Sequence, residues 1–242
     1  MNELPKISVI IPFYNEEENI DSVLQEVLDV LQGQEKTFEV VCVDDASTDG
    51  TNTLLKAASE QIPQLRLITH SKRRGQGTAF WTGFEAARGD VIVTMDGDGQ
   101  NDFRDVPRML ALLEQGNDGV FGQRVRRKDP IQKLVATRIG FFFRRIVLGD
   151  QVRDTACALK VMKKEALRCL IPIRGFLRFI PFLFEQAGLP YETIEVNHRP
   201  RLRGVTKYSL LKGYFWSTII DLLFMWWYKK NNVLRRKDGE KQ

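Results

Sequence analysis

Histidine and cysteine are scarce in this chain, with two of the first and three of the second among 242 residues. Cys42, Cys157 and Cys169 lie far apart without a C-x-x-C pair, and Cys42 sits inside an apolar run where a buried thiol is expected. Neither a disulfide framework nor a zinc site is therefore predicted. With only His70 and His198 available, a metal site would have to be built from oxygen ligands. No basic segment followed by a long apolar run opens the chain, so no signal peptide is expected and the protein is assigned to the cytoplasmic side. A G-x-G-x-x-G dinucleotide loop is also missing, because RRGQGTAFWTG does not follow a strand turn in that manner. The net charge of +5 is mild and suits anionic small molecules or an anionic membrane surface, and no nucleic acid partner is expected. With 43% hydrophobic and 28% charged residues, the composition is that of a folded protein, long enough for one large α/β domain with an appendage.

Four apolar runs are present: ISVIIPFYNE (7 to 16), FEVVCVDDAS (38 to 47), LRLITH (65 to 70) and DVIVTMDGDG (90 to 99). β-Branched residues occupy both faces of these runs, which predicts buried parallel strands. Between them, Ile20, Val23, Leu24, Val27, Val30 and Leu31 follow helical spacing, and further helices are predicted from STDGTNTLLKAASEQI and from GTAFWTGFEAAR, the latter ended by Gly89. A fifth strand is expected at DGVFGQR (118 to 124). Alternating strands and helices predict an open, mostly parallel sheet covered on both faces, with ligands at the carboxyl ends of its strands. Acidic and amide groups collect at that edge: Asn15 and Glu16 after the first run, Asp44 and Asp45 after the second, Asp96 and Asp98 after the fourth. Solvated acidic loops would account for any one of these ends, but not comfortably for three at equivalent places. Asp96, Asp98 and Asp102 within VTMDGDGQND repel one another, so a cation or a row of donors is expected beside them.

Two later segments differ in character. IQKLVATRIGFFFRRIVLG (131 to 149) is a basic, aromatic, amphipathic helix of the interfacial kind, with an ordinary core helix as the alternative. YSLLKGYFWSTIIDLLFMWWYKK (208 to 230) carries three of the four tryptophans and is interrupted by Lys212 and Asp221. It is expected to lie on a membrane surface; a tilted or oligomer-assisted span and a buried core helix are the other possibilities. The domain division is thus 1–207, then 208–230, then a flexible tail at 231–242.

Taken in order, IIPFYNEE, VVCVDDASTDGT, RRGQGTAFWTGFEAARGDVIVTMDGDGQND, GQR, DTACALK and RPRLRGVTKYS resemble the inverting GT-A glycosyltransferases of family 2, and within them the dolichol-phosphate mannose synthase-like, polyprenyl-phosphate branch. The resemblance covers residues 6 to about 212. It implies a GT-A fold, a nucleotide-sugar donor and a divalent cation, Mg²⁺ or Mn²⁺, held by Asp96, Asp98 and Gln100. Pro12, Tyr14 and Glu16 match the family's base and ribose region, Asp44 or Asp45 the carboxylate that holds base or ribose, and Asp96 contacts ribose or metal. Gly97 and Gly99 permit a tight turn there, and Asp102 is expected to cap the helix that follows. Arg73 and Arg74 either approach phosphate or form an exposed basic loop. Arg124 and Arg138 match arginines that clamp the acceptor phosphate, Lys207 matches a further basic residue, and Asp154 falls at the catalytic or acceptor-orienting carboxylate. The chain departs from the pattern at Phe103, where proline is frequent, and at Ala158, Leu159 and Lys160, where Gly-Phe-Arg is usual.

The implied reaction is inverting transfer of a hexose from a GDP- or UDP-sugar to polyprenyl phosphate at the membrane surface, with a homo-oligomer among the expected assembly states. The Q-x-x-R-W motif of polymer-forming members is missing. Three other readings stay open: the same fold acting on a sugar or lipid hydroxyl, a noncatalytic nucleotide-sugar-binding scaffold, and a nucleotidyltransferase that would release pyrophosphate.

Overall fold

A computed structural model describes residues 5–34, 36–124, 131–173, 175–200 and 214–231. Its frame is one mixed seven-stranded sheet in the order β3-β2-β1-β4-β6-β5-β7. The strands are β1 (Ile7–Phe13), β2 (Phe38–Asp44), β3 (Leu65–Thr69), β4 (Val91–Thr94), β5 (Gly119–Arg124), β6 (Lys160–Lys163) and β7 (Tyr191–Val196). All seven residues of β1 are buried, as a central strand covered on both faces requires. Its alternate side chains divide the core: Ile7, Val9, Ile11 and Phe13 pack with one set of helices and Ile10 with the other.

On the first face lie α1 (Ile20–Gln32), α2 (Thr51–Gln61) and α4 (Val106–Glu114). Ile20, Val23, Leu24, Val27 and Leu31 form the buried stripe of α1, so the helical spacing in the sequence is the stripe that packs. The second face carries α3 (Gln76–Ala86) and α6 (Ile180–Ala187), and Leu148 of α5 (Ile131–Leu148) and Met225 of α7 (Tyr214–Asn231) join that cluster. Each fully buried aliphatic side chain in these clusters contributes about 1.5–3 kcal/mol relative to an exposed one.

The five strands expected from the sequence are present, and two more complete the sheet. β6 has only four residues and runs antiparallel between β4 and β5, pairing Thr94 and Phe121 with Lys160. Because it runs against its neighbours, its first residue lies at the edge where β4 and β5 end. The DTACALK segment is thereby delivered to the same edge as Asp96 and Arg124.

Of the C-terminal segment expected at 208–230, residues 214–230 lie in α7, which runs one residue further to Asn231, while 208–213 and the tail from 232 onward lie outside the described residues. Among the described residues, no helix is long and apolar enough to cross a membrane. Phe142, Phe143 and Ile146 of α5 and Ile220, Leu223, Phe224, Trp226 and Trp227 of α7 are exposed. Met225 is fully buried and the Lys229 ammonium donates to the Leu148 carbonyl at 2.5 Å, so α7 is seated on the end of α5 while its aromatic side faces out.

Candidate active site at the carboxyl edge of the sheet

The turns after β1 and β2 are locked together by short polar side chains. The Asn15 amide nitrogen donates to Ser47 Oγ at 2.9 Å, the Thr48 amide donates to Asn15 Oδ1 at 2.7 Å, and the Glu16 amide donates to Thr51 Oγ1 at 2.9 Å. Asn15 and Ala46 both have positive φ, at 53° and 58°. Asparagine tolerates that region, whereas alanine pays strain there, as is common where a strand end has been shaped for a ligand. The Glu16 carboxylate is buried and accepts from Asn19 Nδ2 at 2.7 Å, and the Arg73 guanidinium lies 4.0 Å over the Tyr14 ring. Pro12 belongs to buried β1, with its carbonyl beside Gly97.

Asp44 and Asp45 are 1% and 3% exposed, and both carboxylates are engaged by the protein. Asp44 accepts from the Ser47 amide at 3.0 Å and from Asn52 Nδ2 at 2.8 Å. Asp45 accepts from the amides of Arg74 and Gly75 at 2.8 and 2.7 Å and lies 2.8 Å from His70 Nδ1, whose other nitrogen is 3.0 Å from Thr82 Oγ1. Asp45 thus braces the loop that brings Arg73 to Tyr14 and opens α3.

After β4 the chain makes the acidic turn. Gln76, the first residue of α3, donates to Asp96 Oδ1 at 2.6 Å, while the Asp96 amide donates to Asn101 Oδ1 at 3.0 Å. Asp98 Oδ1 accepts from the Gln100 amide at 3.1 Å. A Cβ on Gly97 would stand 2.6 Å from the Phe13 ring and 2.9 Å from the Pro12 carbonyl oxygen, and Gly99 has φ +71°, so both glycines are required by geometry. Gly97→Ala is expected to cost about 2 kcal/mol and to lower Tm by about 5 °C in a thermal melt.

Asp102 caps the short 3-10 turn Phe103–Asp105 that leads into α4, as its position in the sequence predicts, accepting from the Arg104 amide at 3.2 Å. The buried Phe103 donates its backbone N–H to Glu26 Oε1 at 2.8 Å, a bond that proline at this position would lack. Residues 198 and 199 close over the same turn. Asn101 and His198 form an antiparallel bridge, the Arg199 amide donates to the Gln100 carbonyl at 2.8 Å, and Gln100 Nε2 lies 3.5 Å from His198 Nε2. The Arg199 side chain spans Glu26, at 2.5 and 2.8 Å, and Asp102, at 2.6 Å.

Across β6 stands a second charged group. Arg124 donates from Nε to Asp154 Oδ2 at 2.7 Å and from Nη2 to Oδ1 at 2.8 Å, and its backbone N–H reaches Oδ2 at 3.2 Å. Burial opposes the guanidinium charge, but hydrogen bonding and attraction to Asp154, with Asp96 adding to it, raise its pKa above the ordinary value. Lys160 is fully buried, donating to the carbonyls of Thr155, at 3.4 Å, and Cys157. Burial lowers its pKa, and the charges of Asp154 and Asp96 partly offset that. Asp96, Arg124, Asp154 and Lys160 therefore share one electrostatic environment. Arg138 is in the first half of α5 with its side chain outside the described residues, and Lys207 is also outside them.

Among the described residues, no three His, Cys, Asp or Glu side chains gather as a complete metal cage. The pair Asp96 and Asp98 offers hard oxygen donors at a turn shaped by glycines, which fits Mg²⁺ or Mn²⁺ held jointly by one or two carboxylates, water and substrate phosphate. Gln76, Lys160, His198 and Arg199 were not legible as site residues. Gln76, Lys160 and Arg199 fall inside the motifs that carry the family resemblance, but their roles here, like that of His198, come from tertiary approach.

The family profile described as "Glycosyl transferase family 2" matches residues 8–171. The chain is 32% identical over 214 residues to the undecaprenyl-phosphate 4-deoxy-4-formamido-L-arabinose transferase of Pectobacterium carotovorum subsp. carotovorum (strain PC1), covering 88% of this chain and 65% of that protein. Against the protein of that name from Serratia proteamaculans (strain 568), identity is 30% over 210 residues, with 86% and 64% covered. The chain thus spans just under two thirds of the length of these curated relatives. Glucosyl-3-phosphoglycerate synthase from Mycobacterium tuberculosis, crystallised with Mn²⁺, UDP and glucosyl-3-phosphoglycerate, superposes with a TM-score of 0.68 at 23% identity, covering 92% of this chain and 80% of that one. The architecture is the GT-A fold, as expected from the sequence motifs.

Proposed function

Because this chain belongs to glycosyl transferase family 2, we propose that it transfers a sugar, with inversion, from a nucleoside diphosphate sugar to a polyprenyl phosphate. The observation that carries this reading is the two-pronged Arg124–Asp154 pair at the sheet edge that also bears Asp96 and Asp98. Asp154 occupies Nε and one Nη2 hydrogen of Arg124, which leaves the Nη1 amino group and the other Nη2 hydrogen to receive a phosphate in fork geometry. Arg138 and Lys207 complete the acceptor side in this proposal. Relatives named for undecaprenyl phosphate support the choice of acceptor.

The donor lies over the ends of β1, β2 and β4, with Pro12, Tyr14 and Glu16 along the base and ribose, Asp44 and Asp45 holding the loops beneath it, and Asp96 and Asp98 at the diphosphate. A divalent cation bound by Asp96, Asp98 and Gln100 would neutralise the charge that develops on the diphosphate. An oxygen of the acceptor phosphate forms the new bond to the anomeric carbon as the bond to the diphosphate breaks, and the departing nucleoside diphosphate keeps the electron pair. A phosphate monoester with a second pKa of about 6 is mostly dianionic at neutral pH, so positioning by Arg124 replaces proton removal. The aromatic face of α7 and the exposed Phe142, Phe143 and Ile146 support placement on a membrane surface.

Purified protein with Mg²⁺ or Mn²⁺, undecaprenyl phosphate in detergent, and a panel of GDP- and UDP-hexoses together with UDP-4-deoxy-4-formamido-L-arabinose is expected to yield glycolipid and nucleoside diphosphate in equal amounts. Nucleoside diphosphate release without labelled polyprenyl lipid, for every donor that is consumed, would reject the acceptor.

A further inference from the structure

Of the two α5 arginines whose side chains are described, Arg144 turns inward and Arg145 is exposed. Its neighbours Phe142, Phe143 and Ile146 are exposed, whereas the Arg144 side chain is 12% exposed and paired with an Asp150 that is 1% exposed. Arg144 Nε lies 2.6 Å from Asp150 Oδ2, Nη1 donates to Thr155 Oγ1, and Nη2 donates to the Val152 carbonyl. The other Asp150 oxygen accepts from the Val152 amide at 2.8 Å. A single guanidinium thus holds a carboxylate, a carbonyl and a hydroxyl spread over the loop from 150 to 155, and Asp154 lies inside that span. Asp154 in turn fixes Arg124 through both carboxylate oxygens.

We propose that Arg144 is a positioning residue: it ties α5 to the 150–155 loop so that Asp154 presents Arg124 to the acceptor. This rests on the acceptor-site reading above, and it gives α5 a second task beside its exposed apolar face. The seating of that face and the geometry of the Arg124–Asp154 pair are mechanically joined through one side chain. Lysine cannot serve equally well, because its donors all leave a single nitrogen, whereas Arg144 donates from Nη1 and Nη2 to two separate acceptors while Nε stands against the Asp150 carboxylate. Burial pushes the Arg144 pKa down while Asp150 opposes that push, as expected of a charge kept inside for its geometry.

Three variants test this: Arg144→Lys, Arg144→Met, and Arg144→Met combined with Asp150→Asn, the last leaving no uncompensated buried carboxylate should the single change fail to fold. Amide hydrogen exchange of residues 150–157, nucleoside diphosphate affinity, and kcat and KM for donor and acceptor are measured for each. Faster exchange confined to that loop, nucleotide affinity within twofold of wild type and kcat lower by about 10²-fold are expected for the double variant, with Arg144→Lys intermediate. A folded double variant with wild-type exchange and wild-type kcat would overturn the proposal, and so would a loss of nucleotide affinity that parallels the loss of kcat. If the wild type uses an acceptor other than polyprenyl phosphate, the acceptor reading falls, while loop exchange and kcat with that acceptor still decide the role of Arg144.

Discussion

Asp98→Ala is expected to reduce sugar transfer about 10³-fold in kcat/KM, corresponding to about 4 kcal/mol of lost transition-state stabilisation. Asp98 stands between two glycines whose geometry the turn requires, and its Oδ1 accepts from the Gln100 amide at 3.1 Å. A local role for Asp98 includes that hydrogen bond. Asp98→Asn separates the two roles, since the amide oxygen can still accept from Gln100 but the charge is gone. Under the proposed function both variants lose activity alike, and Tm stays within about 2 °C of wild type because the side chain is only half-buried. Chelation should inactivate the wild type and added Mn²⁺ or Mg²⁺ should restore it, while neither ion restores the variants. An Asp98→Asn protein with near wild-type kcat/KM would remove this carboxylate from the proposed cation site.

How the site could be foreseen differs from residue to residue. Asp96 and Asp98 follow a run of β-branched residues whose only stable place is a buried strand, so their position at a sheet edge follows from local pattern. The expected parallel sheet likewise rests on β1 and β2, where nearly every side chain is buried. β6 escaped because four residues, two of them lysine, have neither the length nor the apolar content of a strand signal, and its direction is set by neighbours far away in sequence. That one strand decides where Asp154 meets Arg124. Asp45 shows the opposite limit: the sequence marks an acid at a strand end but cannot say that the amides of Arg74 and Gly75 and the ring of His70 surround it. The closure of His198 and Arg199 over Gln100 joins residues nearly a hundred positions apart, and no periodicity encodes such a contact.

The Arg124–Asp154 pair should respond differently to loss of each partner, and the difference identifies the nucleophile. Both side chains are about nine-tenths buried, so Arg124→Met leaves a carboxylate without its fork and is expected to cost about 3–5 kcal/mol of stability as well as activity. Asp154→Asn keeps the volume and one acceptor oxygen, and is the cleaner probe of chemistry. If the nucleophile is a phosphate dianion, no base is needed, and the variant loses only alignment, about 10- to 10²-fold in kcat. A hydroxyl nucleophile would need Asp154 to take its proton, and the same change would cost up to about 10⁴-fold. The pH profile provides an independent check. With a phosphate acceptor, kcat/KM for that substrate rises with pH through about 6 as the monoanion becomes the dianion, then levels off. That inflection belongs to the substrate, so it must persist in Asp154→Asn at the same pH, only lower in amplitude. If it vanished with the carboxylate, the titrating group would be Asp154 itself, and the enzyme would be a base-assisted transferase acting on a hydroxyl.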